Sequence, residues 1–267
     1  MKEEKRKGAR TVKEVSPEIL EKLNKGEIES VNLIETLAMN QQELIKNVMV
    51  SLGRKEYIKE IITTIESIKK PTVNIFYETL GGALMRKIKE EKDENLLQIL
   101  SNHISDSVRT WAIYIVRNDE TLDTKDFLNE IKPFAADKHF GVREMAWLAS
   151  RQRIIDNLSE CIDILSKWSM DKDENIRRFA SESTRPRGVW CKHIEKLKHN
   201  PELAISILEP LKTDSSKYVR DSVGNWLNDA SKTKPEFVRE ICNKWLAENE
   251  TNETKYIVKR ALRTIKE

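Results

Sequence analysis

The 267-residue chain contains few of the residues that build tight turns, hairpins and phosphate-binding glycine loops. It has 8 glycines and 7 prolines, roughly half their usual combined share. Its three cysteines, Cys161, Cys191 and Cys242, stand far apart and lack metal-ligand spacing. No apolar run reaches the roughly 18 residues of a membrane span, and the charged first ten residues lack the apolar stretch of a secretory signal. We therefore expect a mostly helical, reduced, cytoplasmic protein that does not enter a membrane.

The apolar content is also low. Hydrophobic residues make up 39% of the chain and charged residues 34%, with a formal net charge of +3. Thin cores with large wetted surfaces are typical of helical solenoids, in which each repeat buries only its contact with its neighbours. The small net charge decides nothing alone, so the distribution of the charges matters more than their sum.

The second half of the chain carries an internal repeat. Each copy has a β-branched aliphatic residue, then a basic residue in four copies of five, and a small apolar residue four positions after the aliphatic one. The copies are Val108-Arg109…Ala112, Val142-Arg143…Ala146, Ile176-Arg177…Ala180, Val219-Arg220…Val223 and Ile257-Val258…Ala261. Spacings of 34 to 43 residues between paired helices describe HEAT-like repeats. The sequence thus predicts an all-α, HEAT-like α-solenoid of antiparallel helix pairs.

The same repeat suggests how its helices begin and where the domain lies. An Asp or Asn stands five residues before four of the aliphatic positions, at Asp137, Asp171, Asp214 and Asn252, where it is expected to cap the helix. Residues 1–13 hold six basic residues and no core pattern, which predicts a basic mobile arm. Residues 14–267 are predicted to form one domain, and we expect a monomer.

Basic residues gather in one segment. Between positions 175 and 200 there are seven Lys or Arg and two acids. Second helices line the concave side of a solenoid, so a row of arginines there suits a phosphodiester backbone. The Arg185-Pro186-Arg187 segment is expected to be extended, with both arginines pointing toward a ligand. The predicted DNA-binding residues are Arg143, Arg178, Arg185, Arg187, Lys217 and Arg220. For the arginines of the repeat, bracing the stack through the Asp of a neighbouring repeat is an equal alternative.

Some aromatic and acidic side chains have the chemistry to act on a bound nucleotide. Trp147 and Trp190 lie near basic residues and are predicted to stack on a sugar or base, although a core position is the usual place of a tryptophan. Glu144 and Asp221 lie two residues after aliphatic positions of the repeat, where a carboxylate would stabilise a cation developing at C1′. A plain ion pair is the alternative for each. These four residues form the predicted catalytic set.

Two segments give the chain a family resemblance. Arg177-Arg-Phe-Ala-Ser-Glu-Ser-Thr-Arg-Pro-Arg187 and Tyr218-Val-Arg-Asp-Ser-Val-Gly-Asn-Trp-Leu-Asn-Asp-Ala-Ser-Lys232 resemble the HEAT-like DNA alkylation repair proteins, the AlkC/AlkD type of glycosylase. The resemblance spans about residues 100–264 and is nearer the AlkC branch. One departure stands out: in Lys138-His-Phe-Gly-Val-Arg143, His139 stands where the AlkC branch has a glutamate.

The resemblance implies a function. Such proteins remove N3- or N7-alkylated purines from double-stranded DNA by hydrolysing the N-glycosidic bond, without a metal or other cofactor. A cationic base is already a good leaving group, so the protein supplies a basic cradle, aromatic contacts and a carboxylate. The alternative is a solenoid that binds DNA structures without catalysis, or that serves as a protein scaffold.

Overall fold

The computed structural model describes residues 6–265, and the regular structure of this part is entirely helical, without a strand. The all-α prediction is confirmed. The α-helices are α1 (Pro17–Lys25), α2 (Leu33–Ala38), α3 (Gln41–Ser51), α4 (Ile58–Glu66), α5 (Val73–Glu91), α6 (Leu96–Ser101), α7 (Asp106–Arg117), α8 (Thr124–Ala135), α9 (Phe140–Asp156), α10 (Leu158–Trp168), α11 (Glu174–Ser183), α12 (Glu195–His199), α13 (Ile205–Leu208), α14 (Lys217–Ser231), α15 (Pro235–Glu248) and α16 (Asn252–Ala261). Short 3-10 helices lie at Val12–Glu14, Lys55–Tyr57, Pro201–Ala204 and Glu209–Leu211.

The chain divides into two compact units. Unit 1 consists of residues 6–121 and 139–145, and in it α5 packs between α4 and α7. Unit 2 consists of residues 122–138 and 146–265, and in it α14 packs against both α11 and α16. Within the part of the chain that the structure describes, no helix is long and apolar enough to span a membrane.

The repeat positions form the cores of these units. All five aliphatic residues are buried, from Val108 of α7 to Ile257 of α16. The small residue four positions later is fully buried in every copy, including Val223 in the fourth. These two positions lie one turn apart on the same face of a helix, which is the face that packs against neighbouring helices. The repeat read from the sequence is therefore the packing surface of the second helices.

Arginines of the repeat hold the turns before their helices through hydrogen bonds to backbone carbonyls. The guanidinium of Arg177 donates to the carbonyls of Asp171 and Lys172, and that of Arg220 donates to the carbonyls of Asp214 and Ser215. Arg109 makes the equivalent bonds to the turn before α7. Arg177 also pairs with the Asp214 carboxylate of the next repeat, with Nε 2.6 Å from Oδ2. The bracing alternative thus describes Arg177, whereas Arg109 and Arg220 hold the turns before their own helices.

The Asp residues before α11 and α14 form turns ahead of these helices and do not occupy the N-cap position itself. Asp171 accepts a hydrogen bond from the backbone N–H of Asp173, and Asp214 accepts one from the N–H of Ser216. Each closes an Asx turn, which leads into the residue at the N-cap position of α11 or α14. The prediction that they cap the helices directly is wrong, because the helices begin three residues after them.

The described part of the predicted arm contacts unit 1. Arg6 binds both oxygens of Glu35, at 2.6 and 2.8 Å, and the Asn32 side chain donates to the carbonyl of Ala9. Residues 1–5 of the arm lie outside the described residues. The mobility of the arm and the single domain over 14–267 stay predictions.

Candidate nucleic-acid interface

A row of cationic side chains crosses three neighbouring helices of unit 2. It consists of Arg178 on α11, Lys217 on α14, Arg260 on α16 and Arg263 just after α16, and we call it the cationic row. The guanidinium of Arg178 lies over the Tyr218 ring, 4.2 Å from its centroid, and Lys217 lies 5.4 Å from the centroid of Tyr256. The row is contiguous because α14 packs against α11 on one side and against α16 on the other.

One carboxylate, Asp221, lies within the cationic row. Its Oδ2 accepts a hydrogen bond from Lys217 at 2.8 Å, and its Oδ1 accepts one from the Tyr256 hydroxyl at 2.5 Å, with Arg260 3.4 Å away. Burial alone would raise the pKa of Asp221. The hydrogen bonds from Lys217 and Tyr256 and the charge of Arg260 outweigh that effect and lower the pKa. Asp221 is thus a fixed, ionised carboxylate at neutral pH.

The row has more cations than carboxylates. Two of the cations, Arg260 and Arg263, lie close enough to repel each other. Arg260 and Arg263 both donate to the Oδ1 of Asn225, at 3.0 and 3.1 Å. Burial and the neighbouring charge of Arg260 lower the pKa of Arg263. A nearby anion would relieve this repulsion. Lys217 has 65% of its side chain exposed to solvent.

A loop, residues 184–194, follows α11 and is held at its base by buried charges. Arg151 donates to three carbonyls, those of Ser183, Arg185 and Lys192, at 2.5 to 2.9 Å. Arg185 itself is buried, and it binds Glu182 at 2.7 Å and Asp229 at 2.8 Å. Buried ions are tolerated when they are paired and hydrogen-bonded in this way. The base of the loop is consequently a rigid part of unit 2.

Glu182 connects this loop base with the cationic row. It is buried, and it accepts hydrogen bonds from Arg185 and from the Ser222 hydroxyl, with Arg178 of the row 3.8 Å away. Burial would raise the pKa of Glu182. The charges of Arg178 and Arg185 and the two hydrogen bonds lower it instead.

The tip of the loop is apolar and exposed. Trp190 is 88% exposed, and its neighbour Val189 is exposed as well. The backbone of Trp190 has φ +63°, in the left-handed region that residues other than glycine seldom adopt. The sequence-based expectation of an available tryptophan ring at this position agrees with the exposure, and the contact of the ring with DNA stays a prediction.

Three predicted site residues lie elsewhere than expected. The sequence predicts an extended Arg185 that points toward a ligand. In the structure its side chain faces inward, because Glu182 and Asp229 neutralise its charge in the interior. The guanidinium of Arg220 is used by the turn before α14. Trp147 is only 5% exposed, since α9 turns it toward the interior with the apolar residues of its repeat, and it presents no open aromatic wall.

The roles of the other predicted site residues stay predictions. Arg143 and Glu144 on α9 are half-buried. Arg187 is half-buried and donates to the Thr233 hydroxyl at 2.7 Å. Arg178 and Lys217 belong to the cationic row.

His139, at the position of the family glutamate, is a structural residue of unit 1. Its Nε2 lies 2.7 Å from the Ser30 carbonyl oxygen, and its Nδ1 accepts a hydrogen bond from the Gly141 N–H. Asp106 lies 3.5 Å from Nδ1 and accepts bonds from the N–H and hydroxyl of Ser30. The histidine is buried and joins segments of unit 1 around Ser30.

The sequence prediction does not include Tyr256, Arg260 or Arg263 in the site. Their signal is spacing: positions 256, 260 and 263 follow one face of a helix at intervals of four and three residues. Among residues 6–265, no three His, Cys, Asp or Glu side chains come together as a metal-ligating group.

Comparison with known proteins agrees with this picture. Residues 144–265 match a family model described as DNA alkylation repair enzyme. A protein of Bacillus subtilis, the uncharacterized YhaZ, is 42% identical over 117 residues, which are 44% of this chain and 32% of that protein. The matched part is thus about a third of the length of this relative.

Solved structures extend the similarity to nearly the whole chain. The alkylpurine DNA glycosylase AlkC of Pseudomonas fluorescens, solved bound to DNA containing an abasic site analog, superposes with a TM-score of 0.67 at 25% identity. The match covers 97% of this chain and 65% of AlkC. AlkD2 of Streptococcus mutans has the same fold, with a TM-score of 0.60 at 23% identity over 80% of this chain and 99% of that one. The predicted HEAT-like repeat fold is confirmed, and over residues 144–265 the chain is similar to the DNA alkylation repair enzymes.

Proposed function

We propose that the chain binds double-stranded DNA through the cationic row and hydrolyses the N-glycosidic bond of N3- or N7-alkylpurines. The observation that carries this proposal is Asp221, an ionised carboxylate held among the cations of the row. The similarity to AlkC, a DNA-bound alkylpurine glycosylase, supports it.

The cations have the chemistry to bind a phosphate backbone. Lys217 is open to solvent, and the crowded pair Arg260 and Arg263 gains from an added anion. Each phosphate that the row neutralises releases counterions from DNA, so binding weakens steeply as salt rises. Arg178, whose guanidinium lies over the Tyr218 ring, adds a further cation next to them.

The carboxylate has the chemistry to assist glycosidic cleavage. In an alkylated purine the base is already cationic, and it leaves with the electron pair of the bond to C1′ as a neutral molecule. The sugar is left as an oxocarbenium cation, which water attacks at C1′ with loss of a proton. A fixed carboxylate next to C1′ stabilises this cation and accepts that proton. Asp221 fits this role best, and Glu144 is the second carboxylate we propose for it.

A non-catalytic DNA-binding function is the second candidate. His139, buried against Ser30 and Asp106, supplies no carboxylate at the position of the family glutamate. On this alternative the cationic row binds DNA, and Asp221 only holds Lys217 and Tyr256 in place.

The salt dependence of DNA binding tests the proposal. We expect the affinity of the wild-type protein for duplex DNA to fall linearly with salt on a log–log plot. Lys217→Ala and Arg263→Ala should each reduce the slope by about one. Lys172→Ala, at an exposed lysine of unit 2 outside the row, is the matched control and should leave the slope unchanged. Binding that does not respond to salt, or a slope that neither row variant changes, would contradict DNA binding by the row.

A further inference from the structure

We propose that Tyr256 is a positioning residue for glycosidic hydrolysis, which acts through its hydroxyl by holding the Asp221 carboxylate in place. This inference rests on the proposed function and adds to it a residue of α16. A carboxylate stabilises a sugar cation only while its oxygens stay next to C1′. The side chain of an aspartate rotates freely unless other groups restrain it, and a small misplacement of a catalytic group costs much of the rate.

Tyr256 makes the shorter of two hydrogen bonds to Asp221. Its hydroxyl donates to Oδ1 at 2.5 Å, and the Lys217 ammonium donates to Oδ2 at 2.8 Å. Hydrogen bonds from a hydroxyl to an ionised carboxylate are short and strong because the charge assists them. Since the two donors bind different oxygens, together they restrain the orientation of the carboxylate as well as its position.

Tyr256 is the more constant of these two donors. Lys217 has a flexible stem, its side chain is 65% exposed, and it is one of the cations that we propose to bind phosphate. An ammonium group that turns toward a phosphate weakens its hold on Asp221. A tyrosine side chain has two torsion angles and no cation that a phosphate would attract. When DNA is bound, Tyr256 is therefore the partner that keeps Asp221 oriented.

Close packing of α16 on α14 fixes Tyr256 relative to Asp221. Gly224 of α14 permits this approach, because a Cβ at that position would lie 2.8 Å from the Arg260 side chain of α16. Ile257, the neighbour of Tyr256, is fully buried. The hydroxyl thus reaches a carboxylate 35 positions earlier in the chain from a helix that is anchored in the core of unit 2.

The charges around this pair come from both helices. On α14, Lys217 binds the carboxylate, and the Arg220 guanidinium lies 5.6 Å from the centroid of the Tyr256 ring. On α16, Arg260 lies 3.4 Å from Oδ1 of Asp221. Burial raises the pKa of Asp221, and the hydrogen bonds from Lys217 and Tyr256 and the charge of Arg260 lower it by more. Loss of the Tyr256 hydroxyl should therefore raise this pKa.

Tyr256→Phe, which removes the hydroxyl and keeps the ring, tests the role. We expect single-turnover release of 7-methylguanine to be about tenfold slower than in the wild type, from the loss of one hydrogen bond to a charged group. Duplex affinity and its salt slope should stay unchanged, because no phosphate contact is lost. Tyr57→Phe is the matched control and should release the base at the wild-type rate. Tyr57 also donates to an aspartate held by a basic side chain, Asp93 with Arg54, but lies in unit 1.

Two further measurements show whether Tyr256 acts through Asp221. Tyr256→Phe added to Asp221→Asn should slow release no further, because the carboxylate that Tyr256 holds is already gone. Carbon-13 NMR of the aspartate carboxyls gives a readout that does not depend on activity. The pKa of Asp221, assigned by the signal missing in Asp221→Asn, should be higher in Tyr256→Phe than in the wild type. A further tenfold loss in the double variant, or an unchanged pKa, would contradict the positioning role.

Failure of this role and failure of the proposed function give different results. If the wild type releases the base and Tyr256→Phe matches its rate, the positioning role is wrong while the proposed function stands. Slower release that comes entirely from weaker duplex binding would also overturn the role. If the wild type releases no base above the spontaneous rate, the proposed function fails, and the positioning role fails with it. Unchanged thermal unfolding of Tyr256→Phe verifies that the variant is folded.

Discussion

Individual buried charges hold the 184–194 loop of unit 2 in place. Arg185 lies in the interior between Glu182 and Asp229, and each of these partners is almost completely buried. Removal of one partner from such a group leaves the others uncompensated, which costs far more than the loss of a surface ion pair.

We predict that Arg185→Ala lowers the free energy of unfolding by roughly 3–5 kcal/mol, because two buried carboxylates lose the cation that they share. Urea denaturation measures the loss. Lys172→Ala, an exposed cation of the same unit, should stay within about 0.5 kcal/mol of the wild type. A loss below about 1 kcal/mol for Arg185→Ala would mean that the carboxylates do not depend on it.

Glu182 gives the protein a specific sensitivity to acid. Its pKa in the folded protein lies below the ordinary value of 4.5, so the carboxylate contributes stability that is fully present above that pH. The contribution is lost as the pH falls through the folded pKa. We predict that Glu182→Gln is less stable than the wild type at neutral pH but loses less further stability on acidification.

Urea midpoints measured from neutral pH down to about pH 3 test this expectation. The exposed carboxylate Glu236 offers a control, and Glu236→Gln should follow the wild-type pH dependence more closely than Glu182→Gln does. Parallel curves for the wild type and Glu182→Gln would show that Glu182 is not the acid-sensitive group.

At the scale of single residues, the direction of a side chain is the feature that local sequence does not predict. Helix α11 ends before Arg185, as the proline that follows Arg185 favours, but nothing local says whether the guanidinium meets solvent or the Glu182–Asp229 pair. Asp229 is 44 residues away along the chain. By contrast, the buried aliphatic and small residues of the repeat follow from periodicity alone, because burial of a helix face depends on local spacing.

At the scale of helices, close packing depends on glycine at one crossing of unit 1. A Cβ on Gly81 of α5 would lie 2.5 Å from the backbone of Tyr114 in α7. At the adjacent Gly82 the nearest atom is the flexible side-chain oxygen of Asn118, at 3.2 Å. The two glycines share a helix but differ in what faces them.

We predict that Gly81→Ala destabilises the protein by roughly 1–3 kcal/mol, since α5 and α7 must move apart. Gly82→Ala gains helix propensity at a position with more room and should be near neutral or stabilising, by up to about 1 kcal/mol. Thermal unfolding of the two variants decides the matter. Equal stability of both would contradict the close approach of α5 and α7.

Helix boundaries show what the sequence predicts well and less well. Ser16 caps α1 as its pattern before Pro17 predicts, and Gly53 ends the turn after α3 with φ +72°. Ser30 and Asn32 both precede α2 and both have capping side chains, but Ser30 binds Asp106 of α7, and Asn32 caps α2. The local pattern allows either residue as cap, and a carboxylate 76 positions away decides between them.

The whole molecule is a repeat protein whose second half carries the stronger family signal. The last three copies of the repeat and the segments around Arg177 and Tyr218 lie within the part matched by the family model, residues 144–265. Those segments predicted the superfamily and part of the cationic row. The row also draws on Tyr256, Arg260 and Arg263, which join it only when α16 packs on α14. That packing is a long-range contact, which a reading of local motifs does not supply.

Release of 7-methylguanine and 3-methyladenine from methylated duplex DNA tests the central claim most directly. We predict release by the wild type well above the spontaneous rate. Asp221→Asn should bind DNA but release the bases at least about a hundredfold more slowly, because a fixed carboxylate no longer stabilises the sugar cation. Full activity of Asp221→Asn with loss in Glu144→Gln would move the catalytic role to Glu144. A wild-type protein that binds the duplex but releases neither base above the spontaneous rate would contradict glycosidic hydrolysis by this chain.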